Sequence, residues 1–228
     1  MNKKSVEKKL GLDEEGLNKI RQSVKNAESK TSGEIAVCLA SESSDYSIWE
    51  IAASIIASLV VSCVMLLFSS QLKVFVENKV WLYHDWYLAA IFVAVIFISI
   101  IIFFAVCNIP FIDRIIIPKN FKKKTVTEKA FSLFAETNVY CTQNHNGILI
   151  FVSYLEREVR IIADKGISEK ISDDDFSKIA DELSKDIQSR NGIDGFCNAI
   201  EKCGELLSKH YPVKKDDVNE LPDGLLFV

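Results

Sequence analysis

IWEIAASIIASLVVSCVMLLF (residues 48–68) and WYLAAIFVAVIFISIIIFFAV (residues 86–106) decide how this chain folds. Each stretch has enough residues, at about 1.5 Å of rise each, to cross a hydrocarbon core of about 30 Å. The first carries one charge, Glu50, near its start, and the second carries none. A buried core helix rarely stays apolar on every face for this long, because one side of it normally meets solvent. The pair therefore reads as a transmembrane helical hairpin.

The flanks agree. Trp49 stands near one end of the first stretch, and Trp81, Tyr83, Trp86 and Tyr87 crowd the start of the second, as an interfacial aromatic belt does. The connecting SSQLKVFVENKVWLYHD is short and partly apolar, which suits a segment lying on the membrane surface, and it carries His84 as an interfacial residue. Arg114, Lys119, Lys122, Lys123 and Lys124 follow the second stretch, against Lys73 and Lys79 in the connector. The positive-inside rule then predicts an integral protein of a bacterial-type cell membrane, with both termini and the soluble part cytoplasmic. No lysine, arginine, aspartate or histidine lies in the centre of the hairpin, so it reads as an anchor instead of an ion path. Ala53, Ala57 and Ser58 suit close packing between its helices.

Over all 228 residues the hydrophobic share of 49% is high while the charged share of 25% is ordinary, as expected when apolar residues concentrate in two stretches. A net charge of −4 argues against a nucleic-acid partner. The six cysteines show no CxxC spacing and read as free buried thiols of a reducing compartment. The N-terminal residues are basic with no apolar run behind them, unlike a signal peptide.

Outside the hairpin the pattern alternates between helix and strand. Leu17, Ile20, Val24 and Ala27 recur at helical spacing behind a capping Asp13. EIAVCLA (34–40) reads as a strand. NIPFIDRIIIPKNFKKK reads as a basic connector on the membrane surface, with Pro110 and Pro118 stopping regular helix. Thr125 and Glu128 have the spacing of a capping box for the next helix. GILIFVSY has the continuous apolar run of a buried central strand. Leu155-Glu156-Arg157 turns it into the strand EVRIIAD. Ser172 with Asp175 opens a helix bearing Phe176, Ile179, Ala180, Leu183 and Ile187. A last helix carries Phe196, Ile200, Cys203 and Leu207, and Pro212 ends the regular structure.

A strand before the hairpin and two after it make one small mixed sheet with helices on both faces, an α/β/α sandwich, into which the hairpin is inserted. The expected organisation is residues 1–47 and 125–228 as two parts of one soluble domain, 48–107 as the hairpin, and 108–124 as the connector.

TSGEI (31–35), GILIFVS followed by Glu156-Arg157, IIADKGI (161–167), Gly192, Gly195 and NELPD (219–223) together resemble the TPM domain family. The resemblance implies an α/β/α sandwich, and a role beside other membrane proteins in assembly, repair or modulation, or an acid phosphatase activity. Relatives that hold the domain outside the cytoplasm differ from the orientation predicted here.

No P-loop, HExxH, GxSxG or phosphatase cysteine loop is present, and His84, His145 and His210 stand in unrelated contexts. The acidic residues offer the best chemistry. Asp164 ends a strand, and Asp173, Asp174 and Asp175 open the following helix. Hard cations such as Ca2+ or Mg2+ take carboxylate oxygens, so these four are the candidate metal ligands, and a bound cation there would polarise a phosphoryl group. The same acids also suit a helix N-terminus. Lys122, Lys123 and Lys124 are the candidate contact with anionic lipid. The leading expectation is a membrane-anchored accessory or scaffold that binds another membrane protein, and the competing one a metal-dependent phosphatase.

Overall fold

The computed structural model describes residues 3–213 and 219–228, which divide into two compact units. One is formed by the two ends of the chain and the other by residues 45–118 between them.

The first unit opens with helices α1 (Lys3–Leu10) and α2 (Glu14–Glu28) and strand β1 (Glu34–Ala40). As expected, Asp13 caps α2, its Oδ1 accepting from the Gly16 N–H at 2.8 Å. After the insertion come α7 (Lys119–Glu136), a 3-10 turn (Val139–Cys141), β2 (Gly147–Ser153) and β3 (Glu158–Ala163). Helices α8 (Lys165–Ser168), α9 (Asp173–Gln188) and α10 (Gly192–His210) follow, and β4 (Leu225–Phe227) closes the chain.

The sheet is mixed, in the order β3-β2-β1-β4. β1 runs parallel to β2, Glu34 opposite Gly147 through Ala40 opposite Ser153. A parallel pair needs a crossover, and α7 supplies it. β2 and β3 are antiparallel around the turn foreseen at 155–157, where Arg157 takes a left-handed φ of 55°. β1 and β2 are buried at every residue, which explains their continuous apolar runs. Their side chains alternate between two cores. Ile35, Val37, Leu39, Ile148, Ile150 and Val152 pack with α2, α9 and α10. Ala36, Cys38, Ala40, Leu149 and Phe151 pack with Val126, Ala130 and Leu133 of α7. Helices thus cover both faces, and the α/β sandwich read from the sequence is the observed fold.

Three local readings are corrected. Thr125 does not begin a helix. Helix α7 starts at Lys119, directly after Pro118, and the Thr125 hydroxyl donates back to the carbonyls of Phe121 and Lys122 at 3.1 and 3.0 Å. Glu128 faces Lys124 at 3.8 Å instead of closing a capping box. Regular structure does not end at Pro212, because β4 adds a fourth, parallel strand beside β1, Val37 opposite Leu225. The six cysteines are free, but only Cys38, Cys107 and Cys203 are buried.

The second unit holds α3 (Ser47–Leu67), α4 (Ser69–Glu77), α5 (Trp86–Cys107) and α6 (Pro110–Ile116). Pro110 does not stop a helix: it occupies the first turn of α6, where its missing N–H costs nothing. Helices α3 and α5 are long and apolar enough to cross a membrane by length and composition, and only 11% of the most apolar window of each is buried. A core helix of a soluble protein would be mostly buried. The buried positions on α3 are Ser54 and Ser58, with Ala53 and Ala57 half-buried beside them, so small residues do face inward. The Ser58 and Ser99 hydroxyls share a hydrogen bond at 2.6 Å between the two helices. Ile51, Ile55, Leu59, Ile98 and Ile101 face outward.

Candidate functional site

The residues that carry the family likeness lie far apart in sequence, yet most of them meet at one end of the sheet, where β1 and β2 begin and β3 ends. The Thr31 hydroxyl donates to the Tyr211 carbonyl at 2.6 Å and accepts from the Gly33 N–H at 3.0 Å. Asn146, just before β2, donates from its side-chain amide to the Ser32 carbonyl. The Tyr211 hydroxyl donates to the Gly166 carbonyl. A side chain at Gly166 would come within 2.5 Å of the His145 carbonyl, so the ADKG turn requires glycine there.

Asp164 sits in this turn. Its Oδ1 accepts from the Lys165 N–H at 2.6 Å and caps α8. Its Oδ2 lies 3.1 Å from His145 Nδ1. The two side chains differ in environment, His145 being 68% and Asp164 10% exposed, so the histidine covers the carboxylate from the solvent side. His145 holds a left-handed φ of 49° in the turn before β2. Sequence reading treated the two residues separately; the β2–β3 register, which sets Ile148 opposite Ala163, brings them together.

Asp173, Asp174 and Asp175 occupy the first turn of α9, as expected, behind the cap Ser172. The Ser172 hydroxyl donates to Asp175 Oδ2 at 2.9 Å; with lesser help from Lys178, it holds that carboxyl below the usual aspartate range. Among the described residues no three of His, Cys, Asp and Glu converge in a way that would hold a metal ion, so Asp164 and Asp173–Asp175 do not form a coordination group. Lys122, Lys123 and Lys124 lie in the first turns of α7, with Lys123 and Lys124 exposed.

A second acidic grouping, in which Glu28 and Glu34 were not singled out from the sequence, fastens the C-terminal NELPD to this end of the fold. Glu34 is buried, and its Oε2 accepts from the Leu221 N–H at 3.2 Å. Glu28 Oε1 accepts from the Ile35 N–H at 3.0 Å. Asp223 lies 3.5 Å from Lys25 Nζ and accepts from the Asn219 amide. Glu220 accepts from the Gln143 N–H at 3.1 Å. Lys25, Glu28, Glu34, Asn219 and Asp223 line a hollow of about 370 Å³. Burial pushes the Glu28 carboxyl up to about 8, and the negative charges of Glu34 and Asp223 act in the same direction. The signal missed was the seven-residue spacing from Glu28 to Ile35, which folds the end of α2 back on the start of β1.

The opposite end of β1 and β2 is fastened too. Glu156 is buried and accepts from the Ser43 N–H at 2.8 Å and from the Ser153 hydroxyl at 2.5 Å. It therefore fixes the chain where it leaves the sheet for the inserted unit. Burial also pushes the Cys38 and Cys203 thiols up to about 12, so neither is a nucleophile at neutral pH.

Residues 114–206 match the family model described as TPM domain. Among solved structures, the NMR structure of BA42 protein from the psychrophilic bacterium Bizionia argentinensis sp. nov. is similar in fold. It aligns with a TM-score of 0.55 at 21% identity, over 95% of this chain and 94% of that one. No curated protein matches the chain. TSGEI and NELPD lie outside the matched stretch, but the fold fastens both to it through Asn146 and Gln143. The motifs, the α/β sandwich and the match over 114–206 together support a TPM domain in this chain, with the family model itself covering residues 114–206.

Proposed function

We propose that this protein is a membrane-anchored accessory or scaffold: a TPM α/β unit tied to a bilayer by the hairpin α3–α5 and engaged with another membrane protein. One observation carries the reading. The apolar hairpin interrupts the α/β unit between β1 and α7, so that unit assembles only when both ends of the hairpin return to it. Two covalent ties restrict its reach from the bilayer, as befits a unit that works on membrane neighbours.

Arg114, Lys119 and Lys122–Lys124 favour the cytoplasmic face for the unit under the positive-inside rule, with the lysines against anionic headgroups. The competing reading, a metal-dependent phosphatase on Asp164 and Asp173–Asp175 with Ca2+ or Mg2+, draws on the family resemblance. It is weaker here because Asp164 is already engaged by Lys165 and His145.

The test is cross-linking of the full chain in native membranes, followed by reciprocal purification, with labelling by an impermeant maleimide for sidedness. A defined membrane protein recovered in both directions, a reactive Trp81→Cys in intact cells, and a Cys141 reactive only after permeabilisation are expected. Recovery of no membrane partner would overturn the reading, and labelling of Cys141 in intact cells would reverse the orientation.

A further inference from the structure

With the sheet order β3-β2-β1-β4, β3 is an edge strand whose outer backbone groups have no partner strand among the described residues, although the Val159 and Ala163 carbonyls accept from Arg160 Nη1 and the Ser168 hydroxyl at 2.7 and 3.3 Å. The other edge is blunted, because β4 has only three residues. β3 has six, half-buried apart from the buried Val159, and among the described residues it pairs on one side only, with β2. Its edge forms the floor of a groove of about 500 Å³ whose walls are α7 (Thr127, Phe131) on one side and α9 (Asp173, Phe176, Ala180, Asp181) on the other. The groove follows Val159 to Ala163, which at about 3.4 Å per residue is the length of a short extended segment.

We propose that β3 takes an extended segment of the membrane partner as an added strand, a placement that rests on the accessory reading above. Side chains of an added strand alternate between the two walls. Those toward α7 meet the exposed Phe131 and the half-buried Ile162. Arg160 also lies on this side, but it is held by Glu158 at 3.0 Å and by the Thr127 hydroxyl at 3.1 Å. Those toward α9 meet Phe176 and Ala180 between two exposed carboxylates, Asp173 and Asp181. Eight helical residues separate these carboxylates by about 12 Å. Same-face residues four apart in a strand are separated by about 14 Å. The segment that fits is therefore cationic at i and i+4, with an apolar residue at i+2 toward α9 and apolar residues at i+1 and i+3 toward α7. A whole second copy fits less well, because its own flanking helices would meet these walls before its edge reached β3.

The test uses the full chain in detergent and a fluorescein-labelled peptide with lysines at its second and sixth positions and valines between them. Binding about tenfold tighter than that of the same peptide with glutamates is expected, from two exposed ion pairs gained against two like-charge contacts. Peptide binding slows amide exchange in β3. Methylating alternate backbone nitrogens on one edge of the peptide abolishes it, while methylating the other edge does not. The double variant Asp173→Lys/Asp181→Lys, both exposed positions, reverses the lysine preference. Lysine preference retained in that variant, binding indifferent to methylation on either edge, or protection of β3 by self-association alone would each overturn the proposal.

Photo-cross-linkers in place of Ser177 in the groove and of Glu205 on α10, in native membranes, separate the two levels. A membrane protein captured from Glu205 but not from Ser177 removes the groove and leaves the accessory reading. Capture from neither removes both.

Discussion

Glu34 Oε2 accepts the backbone N–H of Leu221 at 3.2 Å, across 187 positions of sequence. Glu34 is the first residue of β1 and is 4% exposed; Leu221 is 7% exposed and packs into the core on the α7 side of the sheet. This contact turns the chain's last residues into a strap. Beyond it, β4 lies beside β1 and the Val228 N–H donates to the Leu39 carbonyl at 3.0 Å. Glu34→Ala should therefore speed amide exchange through residues 221–228 while leaving β2 protected. Leu221→Ala should cost about 2–3 kcal/mol in urea unfolding of the detergent-solubilised chain. Unchanged exchange in Glu34→Ala would show that β4 holds itself in place.

Glu28 makes the strap pH-dependent. Its carboxyl is raised from an ordinary 4.5 to about 8 by burial, with Glu34 and Asp223 adding to the shift and the Ile35 N–H opposing it. Below about 4.5 both the folded and the unfolded chain carry the proton. Between 4.5 and 8 only the folded chain does, so its stability falls as pH rises through that window and levels above it. Glu28→Gln keeps an acceptor for Ile35 and removes the titration. Stability measured by denaturant from pH 5 to 8.5 should fall in the parent and flatten in the variant. Parallel slopes would assign the pH dependence to other groups.

What was legible in the sequence was what depends on neighbours a few residues away. β1 and β2 showed as apolar runs because both are buried at every position. The α9 face showed at helical spacing, and the hairpin by its length. β4 did not show, because three residues, LLF, carry no period and gain their structure from β1. Thr125 misled because Thr and Glu three apart mark a helix start only when the preceding residues are not helical, and here Pro118 had already set the start at Lys119. Asp164 was placed correctly at a strand end, yet its partner His145 follows from the β2–β3 register, and the Glu34–Leu221 clasp from tertiary packing. Neither is encoded in any local spacing.

Asp164 has two structural duties, capping α8 and meeting His145, and its substitutions separate structure from chemistry. Asp164→Ala should lose about 1–2 kcal/mol, the usual range for a lost cap with a partner left behind. Asp164→Asn keeps the cap and should lose only a few tenths. Hydrolysis of p-nitrophenyl phosphate by the purified chain should stay at background with Ca2+ or Mg2+ added. Metal-dependent turnover that disappears in Asp164→Asn would instead make the acidic turn a catalytic site and displace the scaffold reading.

Inside the inserted unit, Ser58 and Ser99 make the most specific test of the hairpin. Their hydroxyls are 2.6 Å apart and both lie within hydrogen-bond distance of the Ile96 carbonyl, at 3.2 and 2.9 Å, so the helices meet closely at these small residues. Deleting one hydroxyl should cost only about 0.6–2 kcal/mol, because apolar surroundings strengthen such bonds less than their desolvation suggests. Geometry is the sharper readout. With Cys63→Ser and Cys107→Ala as background, Ser58→Cys/Ser99→Cys should oxidise to an intramolecular disulfide detected by mass spectrometry, since two sulfurs need an approach of about 2.05 Å. Ser58→Cys paired with Ile98→Cys should not, because Ile98 faces outward at 55% exposure. Equal cross-linking of the two pairs would mean that α5 rotates freely against α3. Selective cross-linking fixes the face by which the helices meet and leaves the outward isoleucines for lipid, the division of surfaces that an anchor requires.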